Sequence, residues 1–492
     1  MTQTAELAAF LTGLQGRVSA TRPAALTQAR SALVDTLACM VHGSRLPWTQ
    51  AAHRLVATEH GGADAHSTVI GSAGPPSDDA AANAAGTALA AADTLRVSVR
   101  GAALANGAAA HAFELDDVHE EAISHPGAVV VPAALALAEH LDATGSPQRG
   151  IDLLEAIVVG YEAMGRAGIA VGPAAHMLGG FHPTSMSGVF GAAAAAGRLL
   201  GFDRAQMTAA LGVAATLASG TMEFAASGGM TKRLHAGRAA EGGVTAALMV
   251  AEGFDGPADG LAGTYGFCHV FSPEPQLHLL TEHLGGRWMF DEITVKPYAA
   301  CSDLHPMMQA AEELRHDEQV PVDQIVRIEA EGPTKAATQN DMDGTTSVMA
   351  AQYSAQFNVA AALLADPADP ATYSPTAIAD PALADMQAKV VSLTAAPEFD
   401  ATYAWKMGGR VRVTLSDGSV AERTVHGQRG SMHSPLAPAE LMAKVHRVAG
   451  STIGARVHDA VEAVPDSGPL TPLWARLAVM DTRSAGREGG TR

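Results

Sequence analysis

Apolar residues in the first half of the chain recur every three or four positions, which is the spacing of amphipathic α-helices. We therefore predict a run of helices up to residue 253. Their ends carry residues typical of helix termini, such as Asp203 as a cap before one helix and Gly253 after the last of them. The predicted helices cover residues 3–15, 22–42, 48–58, 77–93, 101–113, 127–143, 150–170, 184–200, 204–219 and 235–253.

The second half of the chain alternates between short runs rich in β-branched or aromatic residues and stretches of helical periodicity. The Asp417-Gly418 pair between two such runs is a hairpin-turn signal. The pattern predicts strands at residues 288–295, 324–330, 410–415 and 419–425, helices at 305–316, 351–364, 380–393, 436–445 and 451–463, and a proline-containing loop at 365–378.

This succession predicts a mainly α protein with two domains. A large all-helical domain is built from both chain ends, residues 1–281 and 429–483, and a smaller α+β domain at 282–428 is inserted between them. The final residues, 484–492, are rich in glycine and charge and are predicted to form a disordered tail.

The composition adds a packing mode and excludes one class of partner. Of the 492 residues, 47% are hydrophobic but only 4% are aromatic, and alanine and glycine supply much of the apolar content. Such a chain suits helices that pack closely through small residues. The formal net charge is −19 and no basic block occurs, which argues against nucleic-acid binding.

The cysteines and the apolar runs bear on location. Cys39, Cys268 and Cys301 lack the spacing of a disulfide framework or a zinc site, so a reducing cytoplasm is the expected location. The first residues contain no basic segment followed by an apolar one, and we expect no signal peptide. No apolar run reaches the roughly 18–20 residues needed to cross a bilayer, and no membrane association is expected.

The densest group of titratable residues lies between two apolar stretches. Residues 111–125 contain five carboxylates and three imidazoles in a chain of which 17% is charged. The His-Pro-Gly sequence at 125–127 precedes an apolar helix, where an imidazole can act as a base or contact an anion. Glu120 and Glu121 are expected to lie in a solvated loop, and the spacing of the histidines does not predict a metal site.

Two further segments carry groups suited to binding anions at helix starts. His182 precedes a helix whose first residues, Thr184 or Ser185, are predicted to cap it, so that backbone amides are left to attract a carboxylate. Lys232 and Arg233 follow a pair of glycines in the densest basic cluster of the chain. They are predicted to form an anion clamp at the N-terminus of the helix that begins near residue 235.

Lys296 and Cys301 lie in a segment that leads from a predicted strand into a helix. The ammonium of Lys296 can contact an anion at a neighbouring site, whereas Cys301 has no activating base nearby in sequence and is interpreted as a structural thiol. The chain contains no Walker A, strand-associated GxGxxG, GxSxG or HExxH motif, so the chemistries that depend on those motifs are not predicted.

Taken together, these segments resemble the family that contains 2-methylcitrate dehydratase, cis-aconitate decarboxylase and iminodisuccinate epimerase, the MmgE/PrpD family. The similarity rests on the order and number of several motifs along nearly the whole chain. They are NGAAAHAFELDD (106–117), SHPG (124–127), GFHPTSMSGVFGAAAAAGRLLGFD (180–203), MTKRLHAGRAAEGGVTAALMVAEGFDGP (230–257), TVKPYAACSDLHP (294–306), VRVTLSDGS (411–419) and SPLAPAEL (434–441).

The resemblance implies a helical domain formed by both chain ends and an inserted α+β lid domain. It also implies an enzyme that needs neither a metal nor an organic cofactor, forms a homodimer and binds a small carboxylate. Members of the family transfer a proton next to a carboxylate, with loss of water or carbon dioxide or with epimerisation. By motif, His125 and His182 fall on the active-site histidines, and Lys232 and Lys296 fall on lysines of the substrate pocket.

The chain departs from the family pattern at a few positions. Where the family has Asp-Phe-Asp-Asp-Thr, this chain has Glu114 at the first position and Val118 at the last, and the spacing to the following histidine is slightly longer. A Ser-x-x-Tyr motif ends here in Phe357, and Tyr353 is the candidate to replace the missing hydroxyl. These changes leave the histidines and lysines in place and leave the substrate open.

We therefore expect a lyase that acts on a di- or tricarboxylate such as 2-methylcitrate or cis-aconitate, by proton transfer alpha to a carboxylate. An epimerase or isomerase of a polycarboxylate such as iminodisuccinate, or a non-catalytic carboxylate-binding protein, is also compatible. His125 and His182 share the base and acid roles, because a pKa near ~6.5 suits both directions, and Asp117 or Glu114 orients one imidazole or tunes its pKa. The expected substrate-binding residues are Glu114, Thr184, Lys232, Arg233, Lys296 and Tyr353.

Overall fold

The computed structural model describes residues 1–62, 65–73, 94–172, 180–227, 229–342 and 344–480. The helix predicted at 77–93 and the tail predicted at 484–492 lie outside the described residues. Contacts within the chain define two units. The helical unit comprises Met1–Ala112, Ala122–Asp291 and the chain from Ala449 onward, and the mixed unit comprises Phe113–Glu121 and Glu292–Val448. The assignment of these units as separate domains, one of them a lid, stays a prediction.

Helices dominate the helical unit, and the expectation of a mainly α protein is confirmed. Two strands, β1 (Ser67–Ala73) and β2 (Thr94–Val97), pair antiparallel. Short 3₁₀ turns occupy Leu277–Leu280 and Met289–Glu292. The α-helices are Gln3–Gly13, Val18–Thr21, Pro23–Ser44, Pro47–Glu59, Val99–Ala110, Gly127–Ala143, Gly150–Val171, Pro183–Leu199, Arg204–Ala215, Glu223–Ser227, Thr231–Ala251, Phe267–Phe271, Ser451–Glu462 and Thr471–Leu477.

Several helix ends coincide with the signals read from the sequence. The side chain of Asp203 accepts a hydrogen bond from the backbone amide of Gln206, and the side chain of Gln206 accepts one from the backbone amide of Asp203. This reciprocal cap lies at the start of Arg204–Ala215. The helix Thr231–Ala251 begins four residues before its predicted start at 235, without a side-chain cap to announce it. Among the described helices, none is both long and apolar enough to cross a membrane.

Helices of this unit approach one another through residues without bulky side chains. A methyl group built at Gly237 would lie 2.2 Å from the carbonyl oxygen of Leu104, on the neighbouring helix. One built at Gly243 would lie 2.4 Å from the Cβ of Ala192, and one at Gly107 would lie 2.7 Å from the Cα of Gly237. The small-residue packing suggested by the composition is therefore present, and it brings helix backbones into direct contact.

The mixed unit contains a four-stranded sheet in the order β6-β5-β7-β8, formed by β5 (Ile325–Gly332), β6 (Val390–Ala395), β7 (Gly408–Leu415) and β8 (Val420–His426). The β5–β6 pair is parallel and the other pairs are antiparallel. A separate pair of two-residue strands joins β3 (Val118–His119) to β4 (Ile293–Thr294). The α-helices are His305–His316, Thr334–Gln339, Val348–Tyr353, Ala355–Leu364, Pro375–Ile378, Pro381–Gln387, Pro397–Asp400 and Pro438–Ala449.

Two predicted elements of the second half are wrong. Instead of a strand, residues 288–295 form the 3₁₀ turn Met289–Glu292 followed by β4, because Met289 packs with Ile169 and the Phe290 ring lies 4.4 Å from that of Tyr161. The helix predicted at 380–393 ends at Gln387 and is followed by β6. The β-branched residues of β6 form backbone hydrogen bonds with β5 instead of continuing the helix.

Two neighbouring predictions need smaller corrections. The stretch 351–364 is divided into two helices at Ser354, whose hydroxyl accepts a hydrogen bond from the amide of Phe357 and so caps the second helix. The loop predicted at 365–378 contains a 3₁₀ turn, Pro370–Tyr373, and the short helix Pro375–Ile378. Prolines fit the first turn of both, where a missing amide proton costs nothing.

Candidate active site

Four histidines meet in the helical unit and form what we call the histidine cluster: His111, His125, His182 and His235. Each of them lies at or near the end of a helix. His111 comes directly after Val99–Ala110, and His125 lies just before Gly127–Ala143. His182 is the residue that precedes Pro183–Leu199, and His235 lies in the second turn of Thr231–Ala251. Four helix ends therefore bring together imidazoles that are far apart in sequence.

The rings of the histidine cluster are close enough to influence one another. The ring of His111 lies 4.8 Å from that of His125 and 5.7 Å from that of His182, measured between centroids. The Nδ1 atoms of His182 and His235 are 2.9 Å apart, a hydrogen-bond distance. Of the four, His111, His125 and His182 are buried, whereas His235 is partly exposed to solvent.

Burial keeps two members of the histidine cluster neutral. It is the largest cause that lowers the pKa of His182 well below 6.5, and the positive charge of Lys232 and the other three histidines act in the same direction. Burial, followed by His111 and Lys232, lowers the pKa of His235 to about 4. The ordinary imidazole pKa expected from the sequence is therefore wrong for His182, which is neutral at pH 7.

Thr184 connects two members of the histidine cluster. Its hydroxyl oxygen accepts a hydrogen bond from the backbone N–H of His125 at 3.2 Å, and the residue is fully buried. Because Thr184 lies within the first turn of Pro183–Leu199, neither it nor Ser185 is the cap that the sequence predicted. A contact between Thr184 and a substrate stays a prediction.

Lys232 and Arg233 lie in the first turn of Thr231–Ala251, and both are buried. Lys232 is near enough to His182 and His235 to lower the pKa of both, which places its ammonium beside the histidine cluster. The Nε of Arg233 donates a hydrogen bond to the carbonyl oxygen of Ala112, and its guanidinium lies over the ring of Trp48. Arg233 thus anchors the segment next to His111, and its predicted contact with a substrate stays a prediction.

Glu114 and Lys296 form a buried ion pair in the mixed unit, with the Nζ of Lys296 3.5 Å from a carboxylate oxygen of Glu114. Glu114 adopts a left-handed backbone conformation, with φ of 57°, which is unusual for a residue other than glycine. His305 lies in the same region, where burial and then the charge of Lys296 hold its pKa well below the usual value. The structure therefore brings together Glu114 and Lys296, two of the predicted binding residues.

Asp117, Tyr353 and Phe357 also belong to the mixed unit and are buried. Tyr353 ends the helix Val348–Tyr353, and its carbonyl oxygen accepts a hydrogen bond from the side-chain Nδ2 of Asn340. The ring of Phe357 lies 5.7 Å from that of Tyr373. The predicted roles of Asp117 as a positioning group and of Tyr353 as a binding residue stay predictions, as does the shared pocket of Lys296 with the histidines.

Glu120 is not the solvated loop residue that the sequence indicated. It is buried, and its carboxylate accepts hydrogen bonds from the hydroxyl of Ser302 and the side-chain amide of Gln428. Burial is the largest influence on the Glu120 carboxyl and raises its pKa to about 7. The polar sequence around Glu120 suggested exposure to solvent, but the mixed unit buries this residue by supplying hydrogen-bond partners from distant parts of the chain.

Replacing Glu120 by Gln is expected to raise stability progressively between about pH 4.5 and pH 7, and to keep that gain at higher pH. Because the folded-state pKa is raised from 4.5 to about 7, the carboxyl loses stabilisation as pH rises through this window. At pH 4, below both pKa values, the protonated acid and the amide should be nearly equivalent, whereas at pH 8.5 the variant should be more stable by about 1–3 kcal/mol. Denaturant unfolding at both pH values measures this.

The neighbour Glu121 offers a matched control, since Glu121→Gln removes the same charge at a side chain that is partly exposed to solvent. Equal pH dependence of unfolding in the wild type and in Glu120→Gln would show that the carboxyl of Glu120 titrates at an ordinary pH.

A neighbouring polar group involves Cys301. Its Sγ lies 3.8 Å from a carboxylate oxygen of Asp303, which also pairs with Lys335 at 2.7 Å. Burial acts to lower the pKa of Lys335, but the charge of Asp303 outweighs it and holds that pKa well above its usual value. All three residues are buried, and the interpretation of Cys301 as a structural thiol stays a prediction.

Sequence reasoning chose two of the four clustered histidines and missed His111 and His235. Both occur in motifs that were singled out, at 106–117 and 230–257, but among 20 histidines the sequence does not reveal which rings meet. One usable signal existed for His235. In a helix that starts at Thr231, Lys232 and His235 are three residues apart and lie on the same face.

Comparison with known proteins gives matches along most of the chain. Residues 92–280 match the model of the MmgE/PrpD N-terminal domain, and residues 298–466 match that of the MmgE/PrpD C-terminal domain. These matches confirm the resemblance drawn from the motifs. They also confirm, together with the relatives described next, the expectation of an enzyme of the lyase type found in this family.

Three relatives illustrate the similarity. The cis-aconitate decarboxylase of Aspergillus terreus (strain NIH 2624 / FGSC A1156) is 28% identical over 475 residues, covering 93% of this chain and 91% of that protein. The cis-aconitate decarboxylase of Homo sapiens is 30% identical over 357 residues, 70% of this chain and 71% of that protein. The one from Mus musculus is 28% identical over 408 residues, with 78% and 80% covered.

Proposed function

Because the chain belongs to the MmgE/PrpD family, we propose that it is a lyase that removes carbon dioxide from cis-aconitate or a closely similar tricarboxylate. The observation that carries the proposal is the histidine cluster, three members of which are buried, with Lys232 beside it, in a chain similar to cis-aconitate decarboxylases over most of its length. An ammonium binds a carboxylate, and imidazoles transfer protons, so Lys232 and the histidine cluster together supply both kinds of group that this reaction requires.

The reaction defines what these groups must do. When a CH₂-carboxylate arm loses carbon dioxide, the electron pair of the broken bond moves through the adjacent double bond to the carbon next to another carboxylate. One proton must then be added at that carbon, and the product is an unsaturated dicarboxylate. The protein has to hold the remaining carboxylates, stabilise the negative charge that develops and deliver a proton to one carbon.

Lys232 is assigned to carboxylate binding and charge stabilisation. Its buried ammonium acts in a region from which water is largely excluded, where a charge has a stronger effect than at the surface. Lys296, paired with Glu114, is the second cation proposed for the substrate, on the basis of the family motif. Asp117, Thr184, Arg233 and Tyr353 are proposed to position these groups or the substrate.

His125 and His182 are proposed to carry out the proton transfer. Thr184 fixes the backbone of His125 relative to the helix that follows His182, so the two imidazoles are held by one hydrogen-bonded connection. A positioned acid or base of this kind contributes roughly 10²–10⁴-fold to the rate. His182 is assigned as the proton donor, because the Nδ1 of its ring is within hydrogen-bond distance of the Nδ1 of His235, which leaves Nε2 to donate.

A panel of acids tests the proposal. Protein treated with a chelator is incubated with cis-aconitate, 2-methylcitrate, citrate and iminodisuccinate, and the products are followed by NMR. We expect carbon dioxide and a dicarboxylate from cis-aconitate, and unchanged activity after chelation, since the family resemblance implies chemistry without a metal. Loss of water would identify a dehydratase instead.

The same panel in deuterium oxide separates the remaining alternatives. Exchange at the carbon next to a carboxylate, without an unsaturated product, would identify an epimerase or isomerase. Binding of the acids without any turnover would identify a carboxylate-binding protein. Each of these two results would refute the decarboxylase assignment.

A further inference from the structure

The proposed donor has a chemical problem that the histidine cluster itself can solve. Decarboxylation consumes one proton per turnover, but the buried ring of His182 is neutral at pH 7. A neutral imidazole that gives up its N–H becomes a strongly basic anion unless its other nitrogen gains a proton in the same step. His182 therefore needs a source of protons at Nδ1.

His235 is that source by geometry. The Nδ1 atoms of the two rings are 2.9 Å apart, and between two neutral imidazoles such a contact requires one Nδ1 to donate a proton and the other to accept it. If His182 accepts at Nδ1, its remaining proton is at Nε2, and it is ready to donate there. The state of one ring thus determines the state of the other.

We propose that His235 positions His182 and relays protons to it, an inference that rests on the proposed decarboxylation. His182 gives its Nε2 proton to the substrate carbon while its Nδ1 takes the Nδ1 proton of His235, and the Nε2 of His235 takes a proton from water. One proton passes from solvent to substrate, and both rings remain neutral. Once the product has left, the Nε2 of His182 takes a proton from water in the vacated site, its Nδ1 returns a proton to the Nδ1 of His235, and the Nε2 of His235 releases one to solvent, which restores the resting tautomers.

The surroundings of the pair suit this role. His235 is partly exposed and can exchange protons with water, whereas His182 is buried. The ring of Phe224 lies 5.4 Å from that of His182 and 5.8 Å from that of His235, so one aromatic side chain packs against both. In the described part of the helical unit, the other titratable groups around the pair are His111, His125 and Lys232, together with exposed Glu223 on the short helix that carries Phe224.

Two variants of the same shape separate relay from packing. His235→Asn can still donate a hydrogen bond to the Nδ1 of His182 but cannot pass a proton on, and His235→Leu can do neither. In the wild type we expect kcat to be nearly constant from pH 6 to 8.5. In His235→Leu, donation requires prior protonation of His182, so kcat should fall about tenfold per pH unit and be about 10²-fold below the wild type at pH 8.

The asparagine variant distinguishes holding the tautomer from relaying the proton. We expect its kcat to fall with pH as in His235→Leu, because the exchange with solvent is lost, while KM for cis-aconitate changes less than about threefold in both variants. A flat profile in His235→Asn would overturn the relay. Wild-type kcat and a flat profile in His235→Leu would overturn any role of His235.

Nitrogen NMR of protein labelled at histidine tests the geometry without a substrate. Resonances of His182 are identified by their absence in His182→Gln. We expect the ligand-free wild type and His235→Asn to have the proton of His182 at Nε2, and His235→Leu to show a mixture of tautomers. A proton at Nδ1 in the wild type would overturn the relay even if decarboxylation is confirmed. If no acid is turned over, the proposed function fails, whereas the tautomer of His182 is still decided.

Discussion

Replacing His182 by Gln is expected to lower kcat for decarboxylation by about 10²–10⁴-fold, with a change in KM of less than about threefold. The amide preserves a polar side chain at the start of the helix Pro183–Leu199 and can still contact His235, but it cannot donate a proton to carbon. Carboxylate binding, assigned to Lys232, should be kept. A fall in kcat without a matching rise in KM is typical of an interaction made only in the transition state.

The control for this variant is His278→Gln, the same substitution at an exposed histidine in the 3₁₀ turn Leu277–Leu280 of the same unit. We expect its kcat and KM to match those of the wild type. Steady-state kinetics on cis-aconitate, with circular dichroism to verify folding, give both results. A folded His182→Gln with wild-type kcat would remove His182 from the mechanism and leave His125 as the donor to test.

The parts of the fold that follow from local pattern were predictable from the sequence. Helices in the first half have an apolar face, and their predicted bounds fall within a few residues of those observed, as for Gly127–Ala143 and Gly150–Val171. The hairpin-turn signal at Asp417-Gly418 likewise predicted the positions of β7 and β8. In each case the residues that determine the element are neighbours in the sequence, so a short window contains the information.

Elements that depend on distant partners were not predictable in this way. The sequence of β6 is equally compatible with a helix, and only the parallel pairing with β5 identifies it as a strand. The consecutive apolar residues Met289 and Phe290 suggest a strand, but their burial against the helix Gly150–Val171 stabilises a 3₁₀ turn. Apolar content alone does not distinguish these outcomes, because tertiary contacts decide them.

The same limit applies to the candidate site. The motifs identified His125, His182 and Lys232, because these residues occur in short sequences of recognisable composition. The hydrogen bond between His182 and His235 joins residues 53 positions apart, and no pattern within a window of the sequence indicates it. The lowered pKa of His182 has the same origin, since burial is a property of the folded chain.

The second large effect concerns the packing that holds these residues in place. Gly237 lies in the helix that carries Lys232 and His235, where it contacts the helix that ends just before His111. A methyl group at Gly237 would lie 2.2 Å from the carbonyl oxygen of Leu104. Because this neighbour is backbone, no change of rotamer can relieve the overlap, and the two helices must separate.

Gly237→Ala is therefore expected to lower the free energy of unfolding by about 3 kcal/mol, although alanine favours helices more than glycine does. The matched control is Gly13→Ala, also at a helical glycine of the same unit, where a methyl group would have no neighbour within 4 Å. That variant should unfold at the denaturant concentration of the wild type or slightly above it. Equal unfolding midpoints for the two variants would contradict a backbone contact at Gly237. If Gly237→Ala folds, displacement of the two helices should also reduce kcat, because the ring of His111 and the groups on Thr231–Ala251 would no longer be held at their present separations.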